Sequence, residues 1–371
     1  MANAEGKSTI RTVDQLETVV DADFHMWESQ EDYLPYIDDP WKSMLERFSF
    51  GWDELPSFND RLRTFTGIMG KLPETDRYNV HTQEKVLAGM EETGSDHILL
   101  SGSQMLYINT VHHDEFAHAM ARAWNRWMLD EILDSKKGIH GLMHIAVHIP
   151  DKAAEHIDDL ANEDDIKGII ISSGGVNQPL GHRRYHQIYE AAEDNGLPVT
   201  FHGAAPTFTH SFPHRAYHTS RFIDAHALSH PLDHMMHLST MLTHGVFERY
   251  PNVDFVFQEA GLGWAPYLAY RYDNEYSGLR EDAPLLKKTP SEYVKEHCYV
   301  TTQPLEGYAH PELVQANIRA IGGSQNVMYS SDWPHHDFDH SSHLLKSLKG
   351  EFVDDEINDI YCNTGKNVFG V

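Results

Sequence analysis

Met328-Tyr329-Ser330-Ser331-Asp332-Trp333-Pro334-His335-His336-Asp337 ends an apolar, strand-forming run in an acid, an aromatic ring, a proline and two imidazoles. An aspartate at the tip of a buried strand is costly to desolvate unless a cation or a hydrogen-bond network receives it. Its position alone therefore makes Asp332 a functional candidate. Near the other end of the chain, Val20-Asp21-Ala22-Asp23-Phe24-His25 is a second strand that finishes in acid and imidazole. Two such strand ends, at opposite ends of the chain, are the pattern of a metal site at the mouth of a barrel.

Between them, short β-branched runs alternate with amphipathic stretches, the signature of repeated βα units. Strands are expected near Thr18–Asp23, His97–Ser101, Leu142–His148, Gly168–Ser172, Pro198–His202, Val253–Glu259, Cys298–Thr302 and Asn326–Ser331. Helices are expected at Glu115–Leu133, Ala153–Ala161, Arg184–Asn195 and Leu232–Arg249. Eight parallel strands with crossover helices close into an α/β (β/α)8 TIM barrel more readily than they make an open sheet. No Pro-, Gly- or Ser-rich boundary divides the chain, so residues 1–371 are expected to form a single domain. Two connections are long, about 26–94 after strand one and about 203–252 after strand five. Loops that follow barrel strands build the active-site face. The first insertion carries Trp27, Trp41, Phe48, Phe50, Trp52 and Phe58, either aromatic cover for a pocket or the packing of a subdomain on the rim.

The charge balance is lopsided: 29 basic against 56 acidic residues give −27. The acids are scattered, so they describe an acidic surface over a folded domain rather than a disordered tail. Such a surface repels itself in dilute buffer and is screened in salt, which points to a salty, halophilic cytoplasm. It also excludes nucleic acid as a natural partner. The two cysteines, Cys298 and Cys362, offer neither a disulfide framework nor a thiolate zinc site. Residues 1–20 lack an apolar signal core, and no apolar run approaches the roughly eighteen residues of a membrane span. A cytoplasmic protein without membrane attachment is expected.

Strand ends one, five, six and eight point into one mouth if the barrel is right. Asp23 and His25 share one face of an extended strand, with Asp21 deeper on the same face. His202 precedes Gly203, Glu259 stands where strand six opens, and Asp332 closes strand eight. Imidazoles and carboxylates converging in this way are a ligand set for one divalent metal, zinc first and manganese second, with positions left for water or substrate. Strand four ends Ser172-Ser173 without a lysine, which argues against a carbamylated lysine bridging two metals.

The chain holds 27 histidines, and most need no metal. His230, His234 and His237 fall on one face of a helix starting near Pro231, interleaved with Met235, Met236 and Met241, so they are read as core or interface packing. That apolar face permits a homodimer. His210, His214 and His226 are placed at the pocket wall. Trp27, His226, Trp333 and His336 are candidate contacts for a small-molecule substrate, and His335 stands beside Asp332.

Taken together, Asp21-Ala22-Asp23-Phe24-His25, Leu197-Pro198-Val199-Thr200-Phe201-His202-Gly203, Gln258-Glu259-Ala260-Gly261 with Trp264, and Ser330-Ser331-Asp332-Trp333-Pro334-His335 resemble the amidohydrolase-related metal-dependent enzymes of TIM-barrel fold. The likeness is to the branch containing aminocarboxymuconate-semialdehyde decarboxylase and runs from about Val19 to Phe369. It implies a metal held by Asp23, His25, His202 and Asp332. The sequence departs from the pattern twice, with Asp-x-His for His-x-His on strand one and Gln258-Glu259 where many members place a catalytic histidine. The resemblance implies first a hydrolase, in which Asp332 takes a proton from metal-bound water while Glu259 or His335 steadies the oxyanion. Its alternative is a non-oxidative decarboxylase of a small aromatic or muconate-type acid, in which Asp332 protonates carbon. Arg183, Arg184, Arg215 and Arg221 are then either carboxylate anchors or partners of surface acids. A binding barrel without activity is the third class, and retention of the four ligands speaks against it.

Overall fold

The computed structural model describes residues 8–48, 80–204 and 222–371. Eight parallel strands follow one another in sequence order around a (β/α)8 barrel. They are β1 (Val20–Met26), β2 (His97–Gly102), β3 (Ile139–His144), β4 (Ile166–Ser172), β5 (Val199–His202), β6 (Phe255–Gln258), β7 (Cys298–Thr301) and β8 (Val327–Met328). The barrel closes where β1 meets the segment after β8. Ala22 N–H donates to Tyr329 O at 3.0 Å, Asp332 N–H to Asp23 O at 2.9 Å and His25 N–H to Trp333 O at 2.7 Å. This seam carries two of the strand ends that the sequence singled out.

Strand alternation builds two layers. Ala22, Leu99, Leu142, Ile170, Val256 and Met328 pack inside the barrel, joined by Phe369 of the closing helix Thr364–Phe369. Phe24, Ile98, Leu100, Ile169, Ile171, Phe201, Phe255 and Phe257 face the helices. β-branched and aromatic residues suit a strand buried on both faces, which is why these runs read as continuous hydrophobic stretches. Capping is local: Thr82 Oγ1 accepts from Lys85 N, and Gly94 ends the same helix, Gln83–Thr93, in the left-handed region.

Several expected boundaries shift, each for a nonlocal reason. β3 stops at His144 because Asn125 takes both backbone groups of that residue, His144 N–H by Oδ1 and His144 O through Nδ2, each at 2.9 Å. β8 is two residues long because the following amides go to side chains, Ser330 N–H to Thr302 Oγ1 at 3.2 Å and Ser331 N–H to Asp21 Oδ1 at 2.9 Å. The helix expected from near Pro231 begins at Phe222 and runs through that proline to Thr243. Of the three methionines read as a dimer surface, Met241 is buried, Met235 is half-buried and Met236 is exposed.

The described part of the first insertion packs on the barrel's outer helices. Tyr33, Ile37 and Leu45 are buried in the main core, and the Trp41 ring meets His113 at 4.7 Å and Phe116 at 5.6 Å. Phe50, Trp52, Phe58, His210, His214, Arg215, His218 and Arg221 lie outside the described residues. Both cysteines are free and buried. Among the described residues, no helix is long and apolar enough to cross a membrane.

Candidate metal centre

The register of β1 against β2 skips between Asp21 and Phe24: Asp21 pairs with Ile98, but Phe24 pairs with Leu100. One extra residue on β1 is a β-bulge, which re-aims side chains on either side of it. Asp21 and Asp23 were expected on one face, and the bulge separates them. Asp21 lies behind the strand, accepting from Ser331 N–H at 2.9 Å and Ser95 Oγ at 3.2 Å. Burial raises its pKa to about 7 against the opposing hydrogen bonds from Ser331. Asp23 and His25 face the mouth.

There they meet His202 and Asp332, and all four side chains are fully buried. His25 Nε2 lies 3.2 Å from Asp23 Oδ1 and 3.1 Å from Asp332 Oδ1, and His202 Nε2 lies 3.5 Å from Asp23 Oδ2. The far nitrogen of each ring is engaged, His25 Nδ1 with Ser101 Oγ at 2.9 Å and His202 Nδ1 with the Gly203 carbonyl at 2.5 Å. These contacts fix ring orientation and leave both Nε2 atoms turned inward. Both Asp23 oxygens, both Nε2 atoms and Asp332 Oδ2 are buried without a hydrogen-bond partner. A tetrahedral metal with ligand bonds of about 2.0–2.1 Å has donor–donor edges of roughly 3.3 Å. The observed separations bracket that edge, so the residues fit a divalent cation.

The electrostatics carry the same strain. Burial lowers the His25 pKa, but Asp23 and then Asp332 push it well above its ordinary value. Burial raises Asp23, and the two imidazoles, His202 first, hold it below the usual carboxylate range. Asp332 is driven well above that range by burial and by Glu259, with His25 opposing.

A second ring of groups surrounds the four. Glu259 Oε2 stands 3.4 Å from His202 Nε2 and 3.1 Å from His230 Nε2. His230 was read as packing, and that reading is corrected: the helix passes through Pro231 and carries His230 into the mouth. His226, four residues earlier, shares its helix face, and that spacing was the overlooked signal. His234 and His237 do support structure, bonding Gln258 O at 2.6 Å and the Leu180 amide at 3.1 Å. His335 Nδ1 meets Asp332 Oδ1 at 2.6 Å, while its Nε2 lies 3.2 Å from Ser103 Oγ.

The Trp27 ring sits edge-on to His335 at 5.8 Å. His226 and His336 lie at the rim with ring centroids 5.3 Å apart. Trp333 is not at the mouth. Its ring stacks on Phe24 at 4.9 Å, behind the barrel wall, and its Nε1–H donates to Glu92 at 3.0 Å. The seam pairing that turns Asp332 inward turns the next side chain outward, so Trp333 is removed from the candidate substrate contacts. Arg184 reaches the His148 carbonyl at 2.9 Å.

A sequence profile of the amidohydrolase family matches residues 20–371. The γ-resorcylate decarboxylase of Rhodococcus jostii is 22% identical over 247 residues, 63% of this chain and 72% of that protein. The enzyme of the same name from Rhizobium sp. is 22% identical over 201 residues, and the match spans only 59% of its length. Among solved structures, the 5-carboxyvanillate decarboxylase of Novosphingobium aromaticivorans, complexed with manganese and 4-hydroxy-3-methoxy-5-nitrobenzoic acid, superposes with a TM-score of 0.74 at 19% identity, covering 100% of both chains. The dihydroxybenzoic acid decarboxylase of Polaromonas sp., with manganese and 2-nitroresorcinol, gives a TM-score of 0.69 at 17% identity, covering 95% of this chain and 97% of that one. With the family profile spanning nearly the whole barrel, this chain belongs to the amidohydrolase family, the metal-dependent TIM-barrel group its strand ends resemble.

Proposed function

We propose that the protein is a metal-dependent, non-oxidative carboxy-lyase acting on a small hydroxylated aromatic acid. The observation that carries this reading is the burial of four converging, uncompensated ligand groups in a chain whose named curated relatives are γ-resorcylate decarboxylases. Hydrolysis, the first of the two enzymatic expectations, gives way to the second on that ground. Asp23, His25, His202 and Asp332 would hold the metal, and manganese gains on zinc because two of the fold neighbours carry it. When bound, the metal supplies a Lewis acid for a carboxylate and its neighbouring hydroxyl.

The chain's own groups do the rest. Burial and the neighbouring Glu259 drive the Asp332 pKa well above the usual carboxylate range, which makes it the acid of the site. Asp332 delivers its proton to the ring carbon bearing the carboxylate. The bond from that carbon to the carboxylate then breaks, its electron pair returns to the ring, and carbon dioxide leaves. His335 holds Asp332 Oδ1 in place, Glu259 pairs with His230 beside His202 on the wall of the same mouth, and Trp27 stands edge-on to His335.

The test is release of carbon dioxide from 2,6-dihydroxybenzoate, 2,3-dihydroxybenzoate and 5-carboxyvanillate by protein reconstituted with manganese or zinc. An ester and lactone panel runs in parallel. Decarboxylation of any of the acids supports the reading; hydrolysis without decarboxylation returns the protein to the first expectation.

A further inference from the structure

The acid and imidazole content of the mouth exceeds what one metal and one proton donor require. Beyond the buried four, His226, His336 and Asp337 bring ligating atoms within 4.8 Å of one another. His226 comes from the helix Phe222–Thr243, and the other two from the segment following Pro334. His226 Nε2 stands 3.6 Å from Asp337 Oδ2, and His336 Nδ1 stands 3.3 Å from Asp337 Oδ1. The two imidazoles thus approach opposite oxygens of one carboxylate, and a cation between them would be met from three sides.

The carboxylate is held in place. Gln303 Nε2 donates to Asp337 Oδ2 at 3.5 Å and to the Asp337 carbonyl at 3.4 Å. Asp337 Oδ1 is buried and takes no hydrogen bond, an acceptor that a cation would satisfy.

We propose that His226, His336 and Asp337 form a second, exchangeable divalent-cation site at the rim of the barrel, distinct from Asp23, His25, His202 and Asp332. Two imidazoles and one carboxylate favour zinc or cobalt over manganese. The rim side chains are 22%, 44% and 26% exposed in the order named, whereas the inner four are fully buried, so the rim ion exchanges with solvent first. Glu259 links the two sites, with Oε1 3.7 Å from His226 Nε2 and Oε2 3.4 Å from His202 Nε2. The proposal concerns binding and stands whether or not the protein decarboxylates anything.

The experiment titrates chelator-stripped full-length protein with cobalt(II), following visible absorption and equilibrium dialysis. Wild type is expected to bind about two equivalents in a tight and a weaker phase. His336→Ala and Asp337→Asn are each expected to lose the weaker phase and keep the tight one. Because His336 is substantially exposed, its removal leaves the fold intact, and circular dichroism checks this. A His202→Ala, Asp332→Ala variant, if folded, keeps the weaker phase alone. Saturation of wild type at one equivalent in millimolar cobalt overturns the proposal, as does a weaker phase unchanged in both rim variants.

Discussion

Glu259, just past β6, and Asp332, in the segment after β8, share a left-handed backbone with φ of 51° and 59°, and they are the two non-glycine residues so placed among those described. Left-handed φ costs an ordinary L-residue about 1–2 kcal/mol. Both residues are buried acids of the same mouth, and Glu259 is the main charged neighbour raising the Asp332 pKa. Backbone strain concentrated at two facing carboxylates is characteristic of a functional site.

Asp332→Asn should remove the proton donor while preserving size. Turnover on a decarboxylated substrate is expected to fall on the order of 10²–10⁴-fold. Metal content measured on the same preparation separates loss of the donor from loss of the metal. Full activity with metal retained would exclude Asp332 as the acid.

Chelation should both silence and soften the enzyme. Removing the cation leaves Asp23 and Asp332 in a buried site, their charges met only by the imidazoles of His25 and His202. Thermal unfolding should shift downward and recover with manganese or zinc, because a ligand at a hundred times its Kd adds about 2.7 kcal/mol. An unfolding midpoint indifferent to the chelator would mean that no structural cation is held.

The His230–Glu259 pair should leave a signature in the pH dependence of stability. Burial lowers the His230 pKa, but Glu259 outweighs it and raises the value from 6.5 to about 9. A raised imidazole contributes stability that is fully present below pH 6.5 and is lost as pH rises through about 9. Its size is on the order of 3 kcal/mol. Glu259→Gln should flatten the decline across that window, read from urea midpoints at several pH values. A slope unchanged by the substitution would assign the decline to another group.

Gly89→Ala should strain the barrel seam. A Cβ there would lie 2.6 Å from the Trp333 ring and 2.8 Å from Phe24, the stacked pair that joins β1 to the strand-eight segment. A loss of about 1–3 kcal/mol in urea unfolding is expected, the usual cost of overpacking. Wild-type stability in this variant would show that the helix Gln83–Thr93 can slide away from the seam.

Salt should stabilise the fold. With a net charge of −27, unfolding midpoints are expected to rise between dilute buffer and molar salt. A flat or falling curve would remove the salt-adapted reading.

The sequence by itself determined the barrel and the strand ends that carry acid and imidazole. β-branched runs, their spacing and the cost of burying such groups at strand ends are local facts, readable from residue type, while the choice of Asp23, His25, His202 and Asp332 as a ligand set came from the family resemblance. What it left open was decided by partners distant in the chain. The extra residue between Asp21 and Phe24 became a bulge against β2, turning Asp21 away from the mouth. Trp333 faced outward once the seam hydrogen bonds set the direction of Asp332. His230 entered the site only because the helix continued through Pro231, which side-chain packing tolerates and propensity discourages. Strand lengths, too, were set by Asn125, Thr302 and Asp21 capturing backbone groups that the ladder would otherwise have used. Periodicity announces which faces are buried; hydrogen bonds between remote residues decide where each face ends and which way its last side chain points.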